Sequence, residues 1–280
     1  MKVSVIIAVY KDIVALNLTI EAFKTQTYKN FEVIVAEDNN SQEMREYVAS
    51  IKDLDVKHTS QEDIGVRKSR SQNNAILKSC GEYLIFLDGD IIPYSTFVAG
   101  HVQLAARGRV LAGRRANLNA ELSIKMREGK LLPLRLEKFY FILGFKLMFD
   151  RNARFEQGVY IAPNSLLYNV FLAKRKRNTS LIGCNFSCFR EDMIAINGFD
   201  ESYGESSLPD DMDLDWRFRA YGLSLHSCKN VANTFHLYHK KQNNPTSQEQ
   251  WEKFNKNKKE KKYISNEGLS RHAESISLFD

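Results

Sequence analysis

The sequence predicts an α/β protein with a mostly parallel, doubly wound central sheet and flanking helices. Three observations carry this. Short β-branched apolar runs alternate with stretches of helical spacing through residues 3–87. The apolar runs lack the polar alternation of a half-solvated strand, as expected of parallel strands buried on both faces. Turn and cap residues stand between the two kinds of segment. Parallel strands joined by helices take right-handed crossovers.

In order, Val3 to Val9 reads as a buried strand, Val14 to Thr25 as a helix and Phe31 to Ala36 as a second strand. Asp38-Asn39-Asn40-Ser41 supplies turn and cap chemistry before a helix through Val48. Asp55 to Thr59 is a short third strand; Ser69 to Cys80 is a helix stopped at Gly81, and it feeds a strand at Tyr83 to Leu87. After Leu111 the pattern loosens. Residues Asn117 to Asn178 are basic, aromatic and helical in part, and read as an insertion over the sheet. Regularity returns at Leu181 to Phe189, followed by a helix from about Asp211 to Tyr221 and a strand-like Asn233 to Tyr238. From Lys240 the chain is polar and lysine-rich, a mobile tail or a surface helix.

The 280 residues suffice for a full core, and 43% hydrophobic with 26% charged residues is ordinary for a globular protein. Forty basic against 34 acidic residues leave a net charge of +6, too mild to indicate a nucleic-acid partner. The excess is concentrated in Lys174-Arg175-Lys176-Arg177 and in the six lysines from Lys253 to Lys262, clusters that suit a solvated face or an anionic membrane surface. Cys80, Cys184, Cys188 and Cys228 form no disulfide framework; Cys184 and Cys188 lack a second pair at zinc-site spacing, so free thiols are expected. Met1-Lys2 leads straight into a strand-like run without a signal peptide, and Phe139 to Phe149, broken by Lys146, is too short to span a bilayer. The chain therefore reads as cytoplasmic, with contact at the inner face of the cell membrane left open. The dinucleotide fingerprint GxGxxG is absent after the first strand.

The most informative stretch is Tyr83-Leu84-Ile85-Phe86-Leu87-Asp88-Gly89-Asp90. An apolar strand ends in two carboxylates that strand alternation can aim the same way, with Gly89 letting another group approach closely. Open α/β sheets bind ligands beyond the carboxyl ends of their strands, and two hard oxygen ligands there suit Mg²⁺ or Mn²⁺ against phosphates. Asp-Gly is also a common turn dipeptide, so this stretch alone leaves both readings open. Three further clusters share the logic. Glu37-Asp38 follows the second strand, where a carboxylate can accept from a base or ribose or merely cap the next helix. Gly198-Phe199-Asp200-Glu201 precedes Asp210-Asp211-Met212-Asp213-Leu214-Asp215, acids that suit a helix N-terminus and include a candidate general base. In Phe235-His236-Leu237-Tyr238-His239, strand alternation sends the two imidazoles to opposite faces, which allows one of them as a metal ligand.

Together these motifs resemble the family-2 glycosyltransferases of the GT-A fold, with a carboxyl half similar to that of β1,4-galactosyltransferases and bacterial chondroitin-type polymerases. The resemblance covers about residues 1–115 and 180–240. It implies a domain over 1–240, comprising a nucleotide-sugar half (1–115), a helical basic and aromatic insertion (116–180) and an acceptor and catalytic half (181–240), then a lysine-rich tail (241–280). It also implies an inverting, metal-dependent transfer of a hexose or N-acetylhexosamine from a UDP-sugar to a glycan or lipid-linked acceptor in surface polysaccharide synthesis. Carried over, Asp38 would bond the uracil, with the backbone near Ala8 and Tyr10 beside it; Asp63 and Arg67 would add to the nucleotide pocket. Asp88 would meet the ribose or a metal-bound water, and Asp90 and His239 would hold Mn²⁺ or Mg²⁺. Asp211 would be the catalytic base and Asp210 would hold the acceptor sugar, with Glu205 a rival because Ser206-Ser207-Leu208-Pro209 separates Gly204-Glu205 from them. The acceptor-side tryptophan loop usual in the family is missing. The rivals are a non-catalytic nucleotide-sugar or glycan-binding module and a haloacid-dehalogenase-type phosphatase. The latter's Asp-x-Asp normally follows the first strand and runs on into threonine, whereas this one follows three strands and runs into Ile91-Ile92-Pro93.

Overall fold

The computed structural model describes residues 1–172, 177–204, 210–240 and 247–272, with only the backbone of Asp210 included. Its strands are β1 (Val3–Val9), β2 (Phe31–Glu37), β3 (Val56–Thr59), β4 (Tyr83–Asp88), β5 (Ile91–Pro93), β6 (Arg109–Ala112), β7 (Ala116–Asn117), β8 (Asn185–Phe189), β9 (Ser224–Ser227) and β10 (Thr234–His236). The main sheet runs β3-β2-β1-β4-β8-β6-β9, and a small second sheet runs β5-β10-β7. Among the described strands of the main sheet, β8 alone is antiparallel to its neighbours β4 and β6.

The buried centre explains the apolar runs. Every residue of β1 is buried, flanked by β2 and β4. Register then sets the site: Ala8 lies opposite both Ala36 and Asp88, so three strands end level and deliver Tyr10, Asp38 and Asp88 to one edge. The connecting helices Ile13–Lys24 and Gln42–Ser50 start where Asp12 and Ser41 accept from Ala15 N and Met44 N, the cap chemistry their sequence suggests. One core lies on each face of the sheet, and Phe86 of β4 stacks on Phe186 of β8 at 4.5 Å between ring centres. A third core joins the insertion to the small sheet, with Leu136, Tyr140 and Leu147 packed with Phe235 and Leu237.

Four details differ from expectation or choose between alternatives. The strand expected over Asn233 to Tyr238 ends at His236. Gly89 does give close approach, but to the chain itself: its N–H donates to Ala8 O at 2.8 Å, and a Cβ there would sit 2.7 Å from Val9 Cγ1. The lysine-rich tail contains a surface helix, Gln248–Lys259, opened by a Ser247/Gln250 capping box and pinned by buried Phe254. Beyond it Leu269 is buried, and Asn197 Nδ2 donates to Ser265 O at 2.7 Å. The thiols are free as expected, Cys80 exposed and the other three buried. No helix among the described residues is long and apolar enough to cross a membrane.

Candidate active site

The site begins where β4 ends. Asp90 Oδ2 lies 3.2 Å from His236 Nε2 and 3.4 Å from His239 Nε2. The three ligand atoms all fall within 4.8 Å of one another. Pairing of β10 with β5 puts His236 opposite Ile91, and Leu237 N donates to Asp90 O at 3.1 Å, which fixes the carboxylate beside the strand end. Because β10 stops there, the chain turns and returns His239 to the same place. The alternation argument that separated the two imidazoles therefore fails, and His236 joins the expected pair.

The tautomers follow from the partners. His239 Nδ1 meets Lys240 O at 3.1 Å, and a carbonyl only accepts, so that nitrogen carries the proton. His236 Nδ1 faces Asn117 Oδ1 at 3.3 Å, with the same consequence. Both Nε2 lone pairs then converge with a carboxylate oxygen, the two nitrogens 3.2 Å apart, a donor set that a cation satisfies. When the two Nε2 atoms are instead protonated, burial still pushes the Asp90 carboxyl up, but the hydrogen bond from His236 and the charges of His236, His239 and Arg115 outweigh it and hold the group below its usual range. These residues fit a divalent metal.

Asp88 is paired with Lys68 Nζ at 2.8 Å. Asp38, 7% exposed, accepts from Gln61 Nε2 and from the backbone N of Arg67, each at 2.7 Å. It thereby braces the 61–67 loop, while a carboxylate keeps further lone pairs for a ligand. In the same loop Asp63 accepts from Lys11 Nζ at 2.7 Å and from Tyr10 Oη at 3.4 Å, and Lys11 lies over the Tyr10 ring. Tyr10 is itself 53% exposed at this edge, an open aromatic face.

The helix Asp210–Tyr221 supplies the remaining acid. Asp213 is buried against Arg217, and Asp215 accepts from Leu181 N and Arg219 Nε, so both acids serve the structure. Asp211 is half-buried on a cleft that Trp216, Arg219, Phe254 and Lys258 also line. Its Oδ2 accepts from Gly183 N at 3.3 Å. The next residue, Cys184, takes Arg115 Nη1 at 3.0 Å on its sulfur, and Arg115 feels the charges of Asp88 and Asp90. Two consecutive residues thus link the candidate base to the metal side. The side chain of Asp210 and the whole of Glu205 lie outside the described residues. Sequence reasoning admitted His236 only as an alternative to His239, and it missed Arg115. The signal for the first was the His-x-x-His spacing at a strand end; for the second, two arginines directly after the apolar run of β6.

The fold and site define a class: a glycosyltransferase with the GT-A architecture. Residues 4–167 match the model of glycosyl transferase family 2, and residues 170–240 match that of the N-terminal domain of galactosyltransferase. The chain belongs to glycosyl transferase family 2. It is 25% identical over 219 residues to the GalNAc(5)-diNAcBac-PP-undecaprenol beta-1,3-glucosyltransferase of Campylobacter jejuni, covering 72% of this chain and 70% of that protein. An uncharacterized glycosyltransferase of Rickettsia bellii is 39% identical over 90 residues, but the chain spans only 13% of its length. Among solved structures, S. aureus TarS residues 1–349 superpose with a TM-score of 0.60 at 16% identity, over 100% of this chain and 70% of that one. A Pyrobaculum calidifontis mannosyltransferase crystallised with GDP-Man and Mn²⁺ gives 0.53 at 16% identity, over 86% and 58%.

Proposed function

We propose that this glycosyltransferase is metal-dependent and inverting, and that it moves a hexose or N-acetylhexosamine from a UDP-sugar to a glycan or lipid-linked acceptor in surface polysaccharide synthesis. The observation that carries the reading is the convergence of Asp90, His236 and His239 beside the level ends of β1, β2 and β4. Such a strand-end edge is where open sheets take nucleotides, and a cation there meets the diphosphate. The names of the relatives point the same way: the Campylobacter enzyme is named for an undecaprenol-linked acceptor, and TarS was crystallised with UDP-GlcNAc. A lipid-linked acceptor would bring the reaction to a membrane surface, in this reading the inner face of the cell membrane.

In this reading Asp38 accepts from the uracil, the backbone at Ala8 and Tyr10 lines the base, and the 61–67 loop with Asp63 and Arg67 closes the pocket. Asp88 orients the ribose, and Lys68 and Arg115 put positive charge where the diphosphate lies. A divalent ion held by Asp90, His236 and His239 would supply charge to the departing diphosphate. One carboxylate and two imidazoles favour Mn²⁺ over Mg²⁺, because imidazole is a poor ligand for the harder ion. Asp211 takes the proton of the acceptor hydroxyl as its oxygen bonds to the anomeric carbon from the face opposite the diphosphate. The bond to the diphosphate oxygen breaks, UDP leaves, and the configuration inverts. Asp210 holds the acceptor sugar.

A general base is worth about a hundredfold to ten-thousandfold in rate. Asp211→Asn should therefore remove most UDP release from a UDP-sugar while UDP affinity stays within about twofold of wild type, since the base contributes to the transition state rather than to nucleotide binding. An active Asp211→Asn beside an inactive Glu205→Gln would move the base to Glu205.

A further inference from the structure

Exposed large apolar side chains concentrate on the face built by residues 132–171, and exposed apolar patches mark interaction sites. Twelve of the twenty-three large apolar side chains that stand exposed among the described residues belong to it. Phe141, Ile142, Phe149 and Leu166 are 61%, 73%, 77% and 79% exposed. The chain here is folded and anchored: the alternate side chains Leu136, Tyr140 and Leu147 are buried with Phe235 and Leu237, the neighbours of His236. Short helical pieces, Pro133–Lys138, Tyr140–Leu143 and Phe145–Phe149, follow one another along the surface, with Gly144 closing the second. Such an arrangement lies on an interface rather than across one.

The charge beside it is mostly positive. Among its described residues, 130–172 and 177 hold seven basic residues against three acidic ones, with Lys130 and Lys146 paired to Glu128 and Glu121. Two of the three acids are engaged elsewhere: Glu137 accepts from Ser95 N at 2.7 Å, and Glu156 pairs with Lys229 at 3.2 Å. Two copies of this face would repel each other, whereas an anionic surface would attract it.

We propose that this face docks on an anionic lipid membrane, its aromatic and aliphatic side chains entering the interface and its basic neighbours meeting lipid phosphates. Through the shared core with Phe235 and Leu237, the docked face holds the metal-binding end of β10 at the bilayer. The proposal extends the reading of a lipid-linked acceptor, but its test reads binding and not transfer, so the two fail separately.

The full chain is floated with phosphatidylcholine vesicles, and with vesicles containing phosphatidylglycerol. Wild type should float with the anionic vesicles, hardly with the neutral ones, and be released at about 1 M salt, where the Debye length is about 3 Å. Phe141→Ser/Ile142→Ser/Phe149→Ser, at exposed positions, should lower partitioning at least about tenfold through lost apolar insertion. Lys138→Glu/Arg151→Glu should do so at least about tenfold through lost attraction. Both variants should keep the wild-type circular dichroism and melting curve, and the apolar variant should keep wild-type transfer to a water-soluble acceptor. Flotation equal in wild type and variants, or none at all, overturns the proposal. So does a wild-type dimer in light scattering that the apolar variant dissolves, which would make the face a contact between copies.

Discussion

Among the described residues Arg217 is the largest fully buried side chain, and the helix that presents Asp211 depends on it. Its guanidinium donates to Asp213 Oδ2 at 3.0 Å, to Gly198 O at 2.7 Å, to Tyr263 O at 3.0 Å and to Ile196 O. Burial pushes the Asp213 carboxyl up against the opposing charge of Arg217, so the pair itself is a weak source of net stability; breaking it is another matter. Asp213→Asn keeps the shape and strands a buried cation, at about 3–5 kcal/mol. Arg217→Met orphans three carbonyls at about 1–3 kcal/mol each and leaves a lone carboxylate as well. The arginine change should therefore cost more than the aspartate change, a large share of the about 5–15 kcal/mol that holds a domain together. Urea unfolding followed by far-ultraviolet circular dichroism measures both. The expected order of midpoints is wild type, Asp213→Asn, Arg217→Met. Equal midpoints for the two variants, or either within about 1 kcal/mol of wild type, would refute the assignment of Arg217 as the clamp between this helix, the Gly198 turn and the carboxyl-terminal segment.

Two further outcomes follow from buried titratable groups. His101 is fully buried between Ser187 Oγ and Asn185 Oδ1, and burial pushes its pKa down to about 3. The unfolded chain takes up this proton below about pH 6.5 and the folded chain does not, so stability falls as pH drops from there, by about 2 kcal/mol at pH 5; His101→Gln should flatten the pH dependence of the urea midpoint by that amount, and an unchanged slope would place the ring in water. Burial also pushes the Cys184 and Cys228 thiols up to about 12 and the Cys188 thiol well above its ordinary value, while Cys80 is exposed. A chromogenic disulfide reagent should thus titrate one thiol quickly in the native protein and four in denaturant, and more than one fast thiol would contradict the packing of β8 and the 228 turn.

Much of the amino half of the fold was legible because β1, β2 and β4 are buried on both faces and the first two helices carry side-chain caps, so those runs and turn residues point to one structure. The short strands β5, β6, β7 and β9 hold two to four residues each, too few for periodicity to register. They exist through pairing that only the tertiary fold supplies. Asp88 and Asp90 were legible as a pair at a strand end, but not their division of labour, Asp88 toward Lys68 and Asp90 toward the histidines. His236 was hidden by a rule that holds only while a strand continues. The carboxyl-terminal segment looked too polar for packing. It docks through a few apolar anchors, Phe254 and Leu269, and through backbone bonds such as Glu201 N to Glu267 O at 2.7 Å, none of which composition reveals.

Asp90, His236 and His239 are proposed to hold the metal that UDP needs. Calorimetric titration of Mn²⁺ into the protein in the presence of UDP, for wild type and for Asp90→Ala, His236→Ala and His239→Ala, tests it most directly. Each single variant should weaken Mn²⁺ binding by at least about tenfold, His236→Ala as much as His239→Ala, because each removes one of three converging donors. UDP affinity should fall with it, and chelation should bring wild type to the level of the variants. Mn²⁺ binding unchanged in His236→Ala, or UDP bound equally well with the metal chelated, would contradict the account.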